Sequence, residues 1–171
     1  WRPDVQGEAD LVEEVALIAS LTKLEGKPLP RLTTGVPRPV LSPMQRRVVT
    51  ARRTAAALGY NECVTYSFID QASAALFGGG TDETRLENPI SSDMSHMRPD
   101  LLPGLLQAAA RNQARGFADM ALFEVGPAFS GGEPGEEQIM VSGLLVGRTG
   151  PRDVHGAARA VDVYDVKADA E

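Results

Sequence analysis

Cysteine is almost missing from this chain: Cys63 stands alone among 171 residues. That excludes an intramolecular disulfide framework and suits a reducing compartment. The two histidines, His96 and His155, lie far apart, and with one cysteine beside them they do not make a zinc site of any usual spacing. Aromatic residues amount to 5%, which leaves few platforms for stacking unpaired bases. No apolar run reaches the length that spans a bilayer, and no secretory leader opens the chain. The expectation is a cytoplasmic protein with no membrane partner. What is there is ordinary globular material, 43% hydrophobic and 23% charged, enough to bury a core without a metal or disulfide staple. The chain opens at Trp1 rather than Met, and reads as a piece of a longer protein.

Charge is distributed unevenly. The formal net charge is −6, against the profile of a general nucleic-acid coat. Residues 1–60 carry nine basic and six acidic side chains, whereas residues 61–171 carry eight and seventeen. Most of the basic excess falls between Lys23 and Arg53. A solvated helix face plus a linker accounts for it, and a local contact with RNA or an acidic partner is the sharper alternative.

Along the chain, Asp10 and Glu13 read as a capping box ahead of a helix with Leu11, Val15 and Ile18 as its apolar stripe. A stretch with five prolines (Pro28, Pro30, Pro37, Pro39, Pro43) then denies a regular backbone ladder and reads as a linker. Ser42, Pro43 and Gln45 start a second helix, with Met44, Val48, Ala51, Ala55 and Leu58 as its buried stripe and Gly59 as its stop. Arg46, Arg47, Arg52 and Arg53 fall off that stripe. Cys63–Ile69 alternates like a strand, with Val64, Tyr66 and Phe68 on one face. Asp70 caps a short helix that stops at Gly78–Gly80, and a short strand is expected around Thr84–Glu87. A polar loop follows over 88–97, then a helix from Leu102 to Gln113. Met120–Phe129 and Gln138–Val146 read as a hairpin around the turn Ser130–Glu137, and Val161–Val166 reads as a last strand. Helices followed by consecutive hairpin strands predict an α+β fold with an antiparallel sheet.

Few constellations could carry chemistry. Gly78-Gly79-Gly80-Thr81 lacks the Lys-Ser/Thr of a phosphate loop and reads as a helix stop. The Ser91/Ser92/His96 loop shows no obvious catalytic set and reads as a turn with hydroxyl caps. Cys63 reads as a small core residue, and Arg98 as a cap or surface pair. One acidic cluster remains. Asp10, Glu13 and Glu14 lie at i, i+3 and i+4 on one helix face, with Asp4 a little upstream. Carboxylate oxygens are what a hard ion such as Mg²⁺ selects. Acids in a first helical turn are also favoured by capping and by the helix dipole, so the residues alone leave both readings open.

Several segments in order make the chain recognisable: Trp1-Arg-Pro-Asp-Val5, Glu8-Ala-Asp-Leu-Val-Glu-Glu-Val15, Ala57-Leu-Gly-Tyr60, Thr65-Tyr-Ser-Phe68, Asn88-Pro-Ile-Ser91, Met97-Arg-Pro-Asp-Leu-Leu-Pro-Gly-Leu-Leu106, Leu122-Phe-Glu-Val-Gly126 and Val161-Asp-Val-Tyr-Asp-Val-Lys167. Together they resemble the β subunits of bacterial phenylalanyl-tRNA synthetases over nearly the whole chain. The resemblance implies three parts: 1–22 as the last helix of a preceding small domain, 23–41 as a Pro-rich linker, and 42–171 as a class II synthetase-like antiparallel sheet flanked by helices, incomplete at its C-terminal end. It implies a Mg²⁺ site shared with the alpha subunit, with Asp4, Asp10, Glu13 and Glu14 as this chain's ligands. It implies an alpha2beta2 assembly that attaches phenylalanine to tRNA, with ATP bound by the alpha subunit.

Catalysis by this piece alone is not expected. An active class II site needs an arginine near the end of the strand that Met120–Phe129 resembles, where a bidentate cation meets the nucleotide phosphate. The chain offers Ala128-Phe129-Ser130-Gly131-Gly132 instead, and the next basic residue is Arg148. No catalytic residue is assigned. The resemblance predicts a scaffold that contacts the alpha subunit through the Ser42–Leu58 helix and the sheet. The alternatives are an RNA-contacting module using residues 23–53, and a stand-alone enzyme with a degenerate ATP site.

Overall fold

A computed structural model describes residues 2–30, 40–150, 154, 156 and 158–171. The chain divides into two compact units, Trp1–Val40 and Leu41–Glu171. The Pro37 and Pro39 part of the expected linker, and His155, lie outside the described residues. Among the described residues, no helix is long and apolar enough to cross a membrane.

The first unit holds helix α1 (Glu8–Ala19) and a single 3-10 turn, Leu21–Lys23. Helix α1 starts earlier than the sequence suggests. Gly7 is the N-cap in extended conformation, and Asp10 sits at the third helical position rather than at the cap. Its carboxylate reaches back and accepts hydrogen bonds from the Gln6 and Gly7 amides at 2.9 and 2.8 Å. The expected stripe is present but covered by nothing in this unit: Ile18 is 90% exposed, and Leu11 and Val15 are also exposed.

The second unit is built on a hairpin, β4 (Met120–Phe129) and β5 (Glu137–Val146), antiparallel and in register from Met120↔Val146 to Phe129↔Glu137. A two-residue strand, β1 (Asn61–Glu62), joins the other edge of β4 in parallel. The sheet order is therefore β1–β4–β5, mixed rather than wholly antiparallel. A second, small antiparallel ribbon pairs β2 (Phe68–Ile69) with β3 (His96–Met97). Helix α4 (Leu102–Gln113) lays Leu105, Ala108 and Ala109 against Leu122 of β4, and Cys63, Met120, Leu144 and Val146 close around that core. Leu105, Ala108 and Ala109 recur at helical spacing, which is why this element is legible from sequence.

Helix α2 (Pro43–Ala57) begins at Ser42 as the sequence predicts. The Ser42 hydroxyl accepts from the Gln45 amide at 3.2 Å, and the Gln45 side chain accepts from the Ser42 amide at 2.8 Å. Gly59, at φ +93°, takes the left-handed conformation that ends it. Its stripe is only half-covered: Val48, Ala51 and Ala55 are half-buried, whereas Met44 and Leu58 remain exposed. Helix α3 (Gln71–Leu76) is capped by Asp70, whose carboxylate accepts from the Ser73 amide and hydroxyl at 2.8 and 2.6 Å.

Three expectations are corrected. Residues 63–67 alternate in burial, but they run as unladdered extended chain, and the face formed by Val64, Tyr66 and Phe68 points outward, with Val64 89% exposed. The strand expected at Thr84–Glu87 is instead a 3-10 turn, Asp82–Thr84, followed by a lone bridge between Arg85 and His96. The strand expected at Val161–Val166 is helix α5 (Val163–Ala170), capped by Asp162 with Asp165 closing the box.

Candidate functional site

The four carboxylates of the acidic cluster all belong to the first unit, but they do not converge. The Arg2 guanidinium takes Asp4 with both arms, Nε to Oδ1 at 3.0 Å and Nη2 to Oδ2 at 2.8 Å, and Nη2 also binds Glu14. Asp4 is held below the usual carboxylate range by that guanidinium. Asp10 is held low by the Gln6 and Gly7 amides that it caps. Glu13 makes no ion pair or side-chain hydrogen bond among the described residues. Among those residues, no group of three or more His, Cys, Asp or Glu stands close enough together to hold a metal ion. The donor chemistry suits a hard cation. The placement does not fit one, because a guanidinium already neutralises two of the four groups and backbone amides engage a third. The motifs do not single out Arg2; its signal is a cation two residues before Asp4.

At the far end of β4 the sequence reading places Ser130 where an active synthetase has its arginine. Ser130 closes the hairpin loop, its amide and hydroxyl both donating to the Glu136 carbonyl, at 2.9 and 2.8 Å. Arg148 offers no substitute. Its amide is held by Asp119 Oδ1 beside the Met120↔Val146 end of the hairpin, about 30 Å of strand away from Ser130 at roughly 3.4 Å per residue.

The sheet does carry charge, in a place the sequence reading missed. Arg98, which the sequence presents as a cap or surface pair, is 1% exposed, and Glu124 in the middle of β4 is 3% exposed. Arg98 Nη1 donates to Glu124 Oε1 at 2.8 Å and to the Thr65 hydroxyl at 2.9 Å, while Nε donates to the Pro127 carbonyl at 2.8 Å. The Thr65 hydroxyl donates in turn to Glu124 Oε2 at 2.7 Å. Two glycines make room. A Cβ on Gly126 would stand 2.7 Å from Arg98 Nη2, and one on Gly104 would overlap the Thr65 hydroxyl. The sequence signal was Glu124 inside an otherwise apolar strand, since a buried acid demands a cation. Both charges are spent on each other, so neither is available to a substrate. His96 is also buried, its Nδ1 within 2.9 Å of the Ser95 hydroxyl and its Nε2 without a hydrogen-bond partner among the described residues.

Helix α2 presents the other charged surface. Arg52 does not point away as expected: Nε pairs with Glu62 at 2.8 Å and Nη2 reaches the Val125 carbonyl at 3.4 Å, tying α2 to β1 and β4. Arg46, Arg47 and Arg53 are exposed and make no ion pair among the described residues. Arg46 and Arg47 stand on one wall of an open groove of about 820 Å³, floored by Phe123, Val141 and Gly143 and bounded opposite by α5. Helix α5 is pinned at its end by the Tyr60 hydroxyl, which donates to Asp169 at 2.7 Å.

Comparison with known proteins agrees with the order of motifs. The family model described as the phenylalanyl tRNA synthetase beta chain CLM domain matches residues 29–171. The phenylalanine–tRNA ligase beta subunit of Ruegeria pomeroyi is 82% identical over all 171 residues, and that of Cereibacter sphaeroides 73% identical over the same span. The beta subunit of Rhodospirillum rubrum is 49% identical over 99% of the chain. This chain spans 21% of the length of each of these relatives. Among solved structures, a histidine–tRNA ligase subunit from Alicyclobacillus acidocaldarius is similar at a TM-score of 0.49 and 16% identity, over 85% of this chain and 40% of that one. With that family model matched over residues 29–171, the chain belongs to the phenylalanyl-tRNA synthetase beta chain family.

Proposed function

We propose that this chain is a non-catalytic, partner-facing part of the beta subunit of a cytoplasmic phenylalanine–tRNA ligase. In this reading residues 42–171 form a class II synthetase-like module, residues 1–22 are the last helix of a preceding domain, and residues 23–41 link them. The alpha subunit carries ATP, phenylalanine and the chemistry in an alpha2beta2 assembly, and tRNA binds to the whole. The observation that carries the reading is the state of the sheet. Ser130, at the end of β4, is spent on its own hairpin loop, and the buried charges Arg98 and Glu124 neutralise each other. Transition-state stabilisation of a transferring phosphoryl centre needs a preorganised cation free to meet it, and strands β1, β4 and β5 carry no Lys or Arg.

The test is association of the full-length beta subunit with separately expressed alpha subunit. A stable complex, with phenylalanine-dependent adenylate formation requiring the alpha subunit, is the expected result; adenylate formation by the beta subunit alone contradicts the reading. Contact with RNA through residues 23–53 is a second reading, favoured by the exposed Arg46, Arg47 and Arg53. It requires tRNA affinity to fall steeply with salt and to weaken when these arginines are replaced.

The Mg²⁺ reading of Asp4, Asp10, Glu13 and Glu14 rests on donor chemistry and family resemblance. As the residues are placed, a cation must displace Arg2 from Asp4 and Glu14 before it meets more than one free carboxylate. Replacing Arg2 with Ala in the full-length subunit should therefore tighten Mg²⁺ binding measured by calorimetry; unchanged or lost binding would count against the cluster as a cation site.

A further inference from the structure

We propose that the end of helix α4 is a contact for unpaired RNA, with Arg111 and Arg115 on its phosphates and the Phe117 ring stacked on a base. In the beta-subunit reading that RNA is tRNA, and the inference rests on that reading.

Charge sets this stretch apart. Residues 61–171 carry eight basic and seventeen acidic side chains, yet no acid falls between Asp100 and Asp119. The charges there are Arg111, in the last turn of α4, and Arg115, four positions on. Side chains at that spacing lie on one side of a helix end. Both are exposed, and neither makes an ion pair among the described residues. The helix dipole is negative at this end, so the two side chains, not the backbone, are the anion-binding groups. An acidic protein segment is the competing partner. Beside the arginines, however, the exposed residues are Gln107, Ala110, Gln113 and Ala114, which give a protein little apolar area to bury. A phosphate backbone needs none.

The ring is an independent observation. Gly116, at φ +94°, closes α4 in the left-handed conformation. Its amide donates to the Gln113 carbonyl at 2.9 Å, and the Phe117 amide donates to the Asn112 carbonyl at 3.1 Å. An apolar residue after such a glycine commonly folds back on the helix; Phe117 stays 60% exposed. It forms part of the wall of an open cavity of about 790 Å³ at the end of the sheet, with Asn61 and Asn112. A held ring beside open space is a platform on which a base of any sequence can stack. Asp119, Asp165 and Asp169 also line the cavity, against one guanidinium, Arg148. That balance keeps phosphates outside, on Arg111 and Arg115, and suits base amino groups within.

The experiment measures tRNA affinity of the assembled enzyme, full-length beta with alpha, across a salt series. Arg111→Ala with Arg115→Ala should weaken binding about tenfold at low salt and flatten the slope of log affinity against log salt by about 1.4. Phe117→Leu should weaken binding about tenfold with the slope unchanged, and Phe117→Tyr should retain parental affinity, since stacking needs an aromatic face. Far-ultraviolet circular dichroism of all three should match the parent, because the replaced side chains are exposed. Unchanged affinity in the double variant and in Phe117→Leu overturns the contact. Equal losses from Leu and Tyr at 117 overturn the stacking role. A double variant that no longer assembles with alpha assigns the patch to a protein partner and overturns the RNA contact. If the parent enzyme itself binds no tRNA, the subunit reading falls and the contact falls with it.

Discussion

Arg98 and Glu124 are buried to within a few per cent and satisfied by each other, Thr65 and the Pro127 carbonyl. Removing one charge strands the other in a desolvated site, which costs about 3–5 kcal/mol, while an apolar pair of similar volume is often tolerated. Arg98→Ala or Glu124→Ala should therefore lower unfolding free energy by that amount in denaturant titrations, and Arg98→Met with Glu124→Leu should recover most of it. Equal losses from the single and double variants would show that the network is not a paired charge. Gly104 tests the same region from the other side. A glycine within a helix is usually improved by alanine, but at Gly104, in the first turn of α4, the new Cβ would overlap the Thr65 hydroxyl and come within 2.9 Å of its Cβ. Gly104→Ala should destabilise by about 1–3 kcal/mol, read as a lower denaturant midpoint; a gain would show that Thr65 can move aside. The sequence named Arg98 and Thr65 but could not pair them, because the contact joins residues 26 to 33 positions apart. The same gap in local information hid Arg2, which binds Glu14 across twelve positions and so disperses a cluster that looked complete in one dimension.

Elements with local signals were legible, and those shaped by distant contacts were not. The start of α2 and the core face of α4 follow from caps and helical spacing. Ser42→Ala should cost about 1 kcal/mol, seen as reduced helical signal at intermediate denaturant. Helix α5 reads as a strand in sequence because Val161, Val163 and Val166 sit among polar residues in near-alternation. Its true signal was Asp162 with Asp165 three positions on, a capping arrangement built from two acids rather than Ser and Glu. That helix should also respond to pH at both ends of the scale. Arg159 and the Asp162 amide lower the Asp165 carboxyl to about 2, so its stabilisation is present above about pH 4 and is lost as pH falls toward 2. Burial and Asp169 raise the Tyr60 hydroxyl above its ordinary value, so its hold on α5 is present below about pH 10 and is lost as pH rises further. Tyr60→Phe should remove the alkaline part of this response, measured as the denaturant midpoint between about pH 9 and 12; an unchanged alkaline loss would assign it elsewhere.

At the scale of the whole molecule, strands β1, β4 and β5 carry no Lys or Arg, and apolar surface remains uncovered in at least two places. One is the groove beside α2; the other is the outward row of Val64 and Tyr66, 89% and 72% exposed. Large exposed apolar side chains in groups belong to interfaces more often than to free surface. On the proposed reading, catalysis lies on the alpha subunit and not on this chain. The most direct test is phenylalanine-dependent ATP–pyrophosphate exchange by the assembled alpha–beta enzyme carrying Ser130→Ala or Arg148→Ala in the beta subunit. Exchange per assembled complex should stay within about twofold of the parent, since neither residue approaches reacting atoms in this account. A loss of about a hundredfold or more, comparable to removing a stabilising donor at an active site, would place catalysis on this chain and contradict it.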